Sequence, residues 1–153
     1  MKNKRLLSLL ASVLFLCATF QLSAQRAAGD VGIGIQFGQP SGLSLQIYQP
    51  RGMSPDFLAA WDLNDFFFLN VHGVFNNHIG NSEKLHFFYG PGGFIGIIDR
   101  EGQDDIDLGV SGTIGLSLMI KKLELYIRAT PRLALLDGTE ADVGGGFGVR
   151  FFL

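Results

Sequence analysis

Beyond residue 24, large apolar residues recur at every second position in eight stretches of the chain, the mark of strands with two unlike faces. The first is Val31-Gly-Ile-Gly-Ile-Gln-Phe37; Gly38-Gln-Pro-Ser-Gly42 turns the chain, and Leu43, Leu45 and Ile47 then alternate with Ser44, Gln46 and Tyr48. After a connection from Pro50 to Pro55, Phe57, Ala59, Trp61 and Leu63 alternate with Leu58, Ala60 and Asp62, ahead of a tight turn at Asn64-Asp65. The fourth strand sets Leu69, Val71 and Phe75 against Asn70 and His72. A polar link from Asn76 to Lys84 leads to the fifth, where Phe87, Tyr89, Ile95 and Ile97 oppose Phe88, Gly90, Gly92, Phe94 and Gly96. An acidic loop from Asp99 to Asp107 follows. The sixth strand places Leu108, Val110, Ile114, Leu116, Leu118 and Ile120 against Gly109, Ser111, Thr113, Gly115 and Ser117. Lys121-Lys122 makes the next turn, into a strand that alternates Leu123, Leu125, Ile127 and Ala129 with Glu124, Tyr126, Arg128 and Thr130. A loop from Leu135 to Asp142 precedes the last strand, whose Val143, Phe147, Val149, Phe151 and Leu153 oppose Gly144, Gly146, Gly148, Arg150 and Phe152. Pro91 and Pro131 fall inside these strands, where each removes a ladder bond, so bulges or strand ends are expected there.

The two faces decide the class. One face carries up to six bulky apolar side chains on a strand, more than the narrow interior of an eight-stranded barrel holds. The other is glycine, serine, glutamine and a few charges, and glycine makes a poor water-facing surface because it weakens a strand and solvates nothing. A charge on a lipid-facing strand costs about 2–4 kcal/mol at mid-bilayer, and the apolar set carries none over the strand cores. The pattern therefore predicts an all-β fold, an up-and-down eight-stranded antiparallel transmembrane β-barrel with its apolar set facing lipid. Trp61, Phe75, Phe87, Tyr89 and Phe151 suit aromatic girdles at the two interfaces. The glycines of the first and last strands, Gly32, Gly34, Gly38, Gly144, Gly146 and Gly148, are expected to meet at the closing seam and leave the lumen plugged.

The N-terminal end changes the setting. Lys2, Lys4 and Arg5 precede an apolar stretch from Leu6 to Phe20 and a small-residue exit at Leu22-Ser23-Ala24, the pattern of a cleaved secretory signal. Residues 1–24 are thus expected to leave, with Cys17, the sole cysteine, and residues 25–153 to form one domain in the bacterial outer membrane. That segment holds three of the 12 basic residues and none of the 14 acidic ones, so the remainder carries nine basic against 14 acidic side chains. An acidic chain of this kind argues against a nucleic-acid partner. The composition of 21 glycines, 14 phenylalanines and only 17% charged residues, with no long apolar run after residue 24, again points to strands that cross lipid.

The opening Gly-Ile-Gly-Ile-Gln-Phe-Gly-Gln-Pro-Ser-Gly-Leu-Ser (32–44) and the closing Asp-Val-Gly-Gly-Gly-Phe-Gly-Val-Arg-Phe-Phe-Leu (142–153) resemble a family of small exported barrels from Bacteroidetes-type bacteria. In plan the chain is similar to the OmpA/OmpX class of eight-stranded outer-membrane barrels. The resemblance implies insertion into the bilayer by the barrel-assembly machinery, which in the larger class reads a last strand ending in an aromatic residue. Here Phe151 and Phe152 precede a final Leu153. The resemblance implies no activity.

Asp62, His72, Glu124, Arg128 and Arg150 fall on the inward set, where buried charges must pair, so a lumen charge network is expected. No histidine has a serine at strand spacing, so neither a catalytic residue nor a lipid-modifying activity is expected. Asp99, Glu101, Asp104, Asp105 and Asp107 form the acidic outer loop; their spacing is not that of a calcium loop, and no metal or cofactor is assigned. Lipopolysaccharide is a conceivable contact of the outer loops. The function expected is a structural or interaction role in the envelope. The alternatives are a narrow pore for small solutes and a soluble periplasmic, lipocalin-like ligand-binding barrel.

Overall fold

A computed structural model describes residues 26–61, 66–100, 103–136 and 139–153. The expected export signal lies outside the described residues, as do Asp62 and Glu101. The strands are β1 (Val31–Gln39), β2 (Gly42–Ile47), β3 (Ser54–Trp61), β4 (Phe66–His78), β5 (Leu85–Arg100), β6 (Gln103–Ile120), β7 (Leu123–Ala134) and β8 (Glu140–Phe152). Each pairs antiparallel with its neighbours in chain order, and β8 returns to β1 to close an eight-stranded barrel. Closure leaves the full-length ladder with no free edge, as such a sheet requires when water is not at hand to bond it.

The period of two sorts the side chains as the sequence predicts. Ile127 and Phe147 point outward and are 57% and 58% exposed, whereas Glu124 and Arg150, three residues away on the same strands, are 1% and 2% exposed. The exterior is an apolar belt running from Ile33 and Ile35 around to Phe147 and Phe151. The interior is filled with side chains in tiers. Phe68 and Phe94 stack, with ring centroids 5.6 Å apart, beside Ala60. Val74, Phe88 and Tyr126 form a second cluster, and Tyr48, Met119 and Phe152 form a third at the mouth where β1 begins and β8 ends. Polar groups occupy the space between.

The glycines contribute differently from expectation. At the β1–β8 seam only Gly38 and Gly146 stand opposite one another; Gly34 faces Arg150, Gly32 faces Phe152 and Gly148 faces Gln36. The interior repeats one motif instead, a glycine directly across from an aromatic ring: Gly96 with Phe68, Gly109 with Phe94, Gly115 with Phe88, Gly148 with Tyr126 and Gly32 with Phe152. A methyl group at Gly109 would come 2.6 Å from the Phe94 ring, and one at Gly32 would come 2.7 Å from that of Phe152. At these positions the ring lies over the glycine backbone of its cross-strand partner, in space that a side chain there would fill.

Two further expectations are corrected. Pro91 and Pro131 mark neither bulges nor strand ends. The β4–β5 and β6–β7 registers are the same on both sides of them, with pairing interrupted only at Gly73–Val74 and at Gly112–Thr113. Each proline faces outward and costs a local bond, while the rest of the ladder holds the strand straight. The acidic stretch is not a loop either. The β5–β6 register runs unbroken to Arg100 opposite Gln103, which puts Asp99, Asp104, Asp105 and Asp107 on the two arms of a hairpin. Backbone pairing needs no apolar face, so the hairpin continues past the last bulky pair and rises beyond β7, which ends at Ala134 opposite Gly109. Smaller shifts follow the same logic: β3 starts at Ser54, β4 runs to His78, and β8 starts at Glu140.

Candidate functional site: the polar lumen

The centre of the lumen is a carboxylate, Asp56, which lies near the start of β3 and is 2% exposed. Its Oδ1 accepts from Arg128 Nη1 at 2.7 Å, and its Oδ2 accepts from Arg150 Nη2. Gln46 Nε2 also approaches Oδ2, at 3.4 Å. Arg150 extends the network, donating from Nη1 to Glu124 Oε2 at 3.2 Å and from Nε to Ser44 Oγ at 2.8 Å. Arg128 donates from Nε to Gln36 Oε1 at 2.5 Å. Glu124 takes a third arginine: Arg26, just ahead of β1, bends into the mouth and meets Glu124 Oε1 at 3.2 Å. Its guanidinium lies 4.2 Å from the Tyr48 ring centre and 5.0 Å from that of Phe152. Burial draws this guanidinium below its ordinary pKa, while the Glu124 carboxylate pulls the other way.

Among the described residues, three arginines and two carboxylates thus share one buried interior, joined by groups from β1, β2, β3, β7 and β8. Every charge has an opposite partner within 3.2 Å, and without such partners ions of this kind are not held in a barrel core. Of the residues singled out in the sequence, Glu124, Arg128 and Arg150 meet here; His72 does not join the ion pairs, and Asp62 lies outside the described residues. Asp56 escapes the sequence reading, which ends the connection at Pro55 and starts the strand at Phe57. Stepping the alternation back by two from Leu58 finds it.

His72 belongs to a second polar group. Its Nε2 lies 3.0 Å from Ser111 Oγ, and Ser111 in turn donates to Asn70 Oδ1 at 3.0 Å. His72 is on β4 and Ser111 on β6, with β5 between them. The contact is possible because the residue between is Gly92, paired with His72 on one side and Ser111 on the other. A methyl group there would collide with the His72 ring. Strand spacing alone does not reveal such a pair, since it spans three strands; the sequence signal would have been a glycine in register between two polar inward residues. The serine hydroxyl thus sits between the Asn70 amide oxygen and the His72 ring nitrogen, within hydrogen-bond distance of both. The imidazole is also buried, at 2% exposed.

Among the described residues no three histidine, cysteine, aspartate or glutamate side chains gather where they could hold a metal ion. In the β5–β6 hairpin the backbone pairing sets Asp99 opposite Asp104.

No protein-family model and no curated protein matches the chain. Among solved structures, the chain is similar to the N-terminal β-barrel domain of Pseudomonas aeruginosa OprF, with a TM-score of 0.60 at 10% identity over 81% of this chain and 96% of that one. A second similar structure is Neisserial surface protein A, NspA, with a TM-score of 0.47 at 12% identity over 80% of this chain and 92% of that one. The likeness to the OprF domain spans nearly all of that chain and is one of fold: a closed, all-β, eight-stranded antiparallel barrel, the plan of the OmpA class.

Proposed function

We propose that the protein is a small outer-membrane barrel with a structural or interaction role in the cell envelope, and that it works through its outer surfaces rather than through its lumen. The observation that carries this reading is the polarity of the barrel wall. The bulky apolar residues are exposed all the way around, while arginines and carboxylates are buried inside. A water-soluble ligand-binding barrel has the reverse arrangement, with an apolar cavity and a polar exterior. Along the middle of the barrel the inward face carries stacked rings and ion pairs. That filling also disfavours the narrow pore, because an ion on the axis would have to displace Arg150 and Asp56 from one another.

Supporting features are the even strand number, which puts both chain ends at one mouth, and the projection of the β5–β6 hairpin from the opposite rim. With the chain ends on the periplasmic side, that hairpin faces outward as the candidate contact for an envelope partner. Its carboxylates would reach lipopolysaccharide phosphates only through bridging divalent cations. Insertion by the barrel-assembly machinery and a non-enzymatic role belong to the same reading.

The test is gel mobility of the protein taken from purified outer membranes, with and without boiling in detergent. A membrane barrel stays folded until heated, so a heat-dependent shift in the membrane fraction is expected, together with no discrete conductance in planar bilayers. Recovery in the soluble periplasm without a shift would overturn the membrane assignment; unitary currents would overturn the closed lumen.

A further inference from the structure

At the mouth that carries the chain ends, a cavity of about 480 Å³ opens beside His78 and His86. The two histidines are direct cross-strand partners at the ends of β4 and β5, so both project to the same face of the sheet. Their ring centroids are 4.5 Å apart, with the planes inclined at 45°. His78 is exposed, whereas His86 is 3% exposed and its Nδ1 has no hydrogen-bond partner among the described residues. The two imidazoles stand side by side at the wall of one open cavity. With metal–nitrogen bonds of about 2.0–2.1 Å, each ring centre sits roughly 3.2 Å from the ion, and two rings at about 90–110° are roughly 4.5–5.2 Å apart.

We infer that this pair binds one divalent first-row transition-metal ion of the imidazole-favouring class, with water completing its coordination. The surrounding charge permits it. Arg26 and Lys121 line the same cavity, but Arg26 is held by Glu124, and the Glu83 carboxylate is among the lining groups as well. The two ligands come from strand positions fixed by barrel pairing, so the chelate is in place before the ion arrives. It lies at the lumen mouth, where Arg26 borders both this cavity and the ion-pair network, and at the rim opposite the acidic hairpin.

The test uses the full chain expressed in cells and extracted from their membranes in detergent, with Zn²⁺ alone as the probe in a calorimetric titration. One equivalent is expected to bind. His78→Ala is expected to weaken it by roughly tenfold or more, since one of two protein ligands is lost. His78 is exposed, so this variant keeps the fold, which is checked on the same sample by the heat-dependent mobility shift. Replacing Zn²⁺ with Cu²⁺ provides a second readout, with nitrogen hyperfine structure from two imidazoles in the wild-type chain and from one in His78→Ala. Absence of stoichiometric Zn²⁺ binding, or binding undiminished in His78→Ala, would overturn the site while leaving the mobility shift and the barrel reading untouched.

Discussion

Asp56 holds two arginines at once, and that sets what its loss would do. Removing its carboxylate leaves Arg128 and Arg150 as buried cations short of a counter-charge, a change that typically costs about 3–5 kcal/mol. Asp56→Ala is therefore expected to lower stability by that order, read from urea unfolding in detergent through the fluorescence of Trp61, the only tryptophan. A loss under about 1 kcal/mol would mean that Glu124 and solvent had taken over the pairing. Arg128 and Arg150 are legible in the sequence because an arginine at an inward strand position has to meet a carboxylate inside the barrel. Asp56 is hidden by Pro55, which reads as a connection and in fact sits within β3. The Ser111–His72 contact is invisible on different grounds: it depends on register across three strands, and no register can be read from one strand's alternation.

At the scale of the strand, the alternation identifies all eight elements and the face each presents, because period two is imposed by the pleat itself and survives local exceptions. It fails at the ends. Where apolar residues give way to aspartates on β5 and β6, the period carries no signal, yet pairing continues, since the ladder depends on the backbone and not on side-chain polarity. The prolines mislead in the same way: the rule concerns one lost bond, and a long strand flanked on both sides tolerates that loss. The outward face yields a direct check on the membrane assignment. Ile114 is at the middle of β6 and 47% exposed, away from the lumen network. Ile114→Arg is expected to destabilise the barrel in lipid by about 2–4 kcal/mol, the cost of a midplane cation, as measured by reversible unfolding in liposomes. In a soluble barrel the same exposed site would accept arginine with little change.

For the whole molecule, glycine abundance and barrel filling are one fact. Five of the six buried aromatic rings among the described residues fit inside because the neighbouring strand offers glycine opposite each, and the ion pairs occupy what remains. The glycines are plain in the sequence, and their pairing is plain only in the folded barrel. The polar lumen joins residues far apart in the chain: Arg128 to Gln36 across 92 positions, Arg150 to Asp56 across 94, and Arg150 to Ser44 across 106. None of these contacts can exist in an open sheet, because β7 and β8 reach β2 and β3 only when the last strand has found the first. The network is then a late-forming clasp. Interactions that form after the transition state slow unfolding and leave the folding rate alone, so Asp56→Ala is expected to speed unfolding more than it slows folding, read from the two rates in detergent. The arginines of the interior, each tied across the closed barrel, stand against its opening.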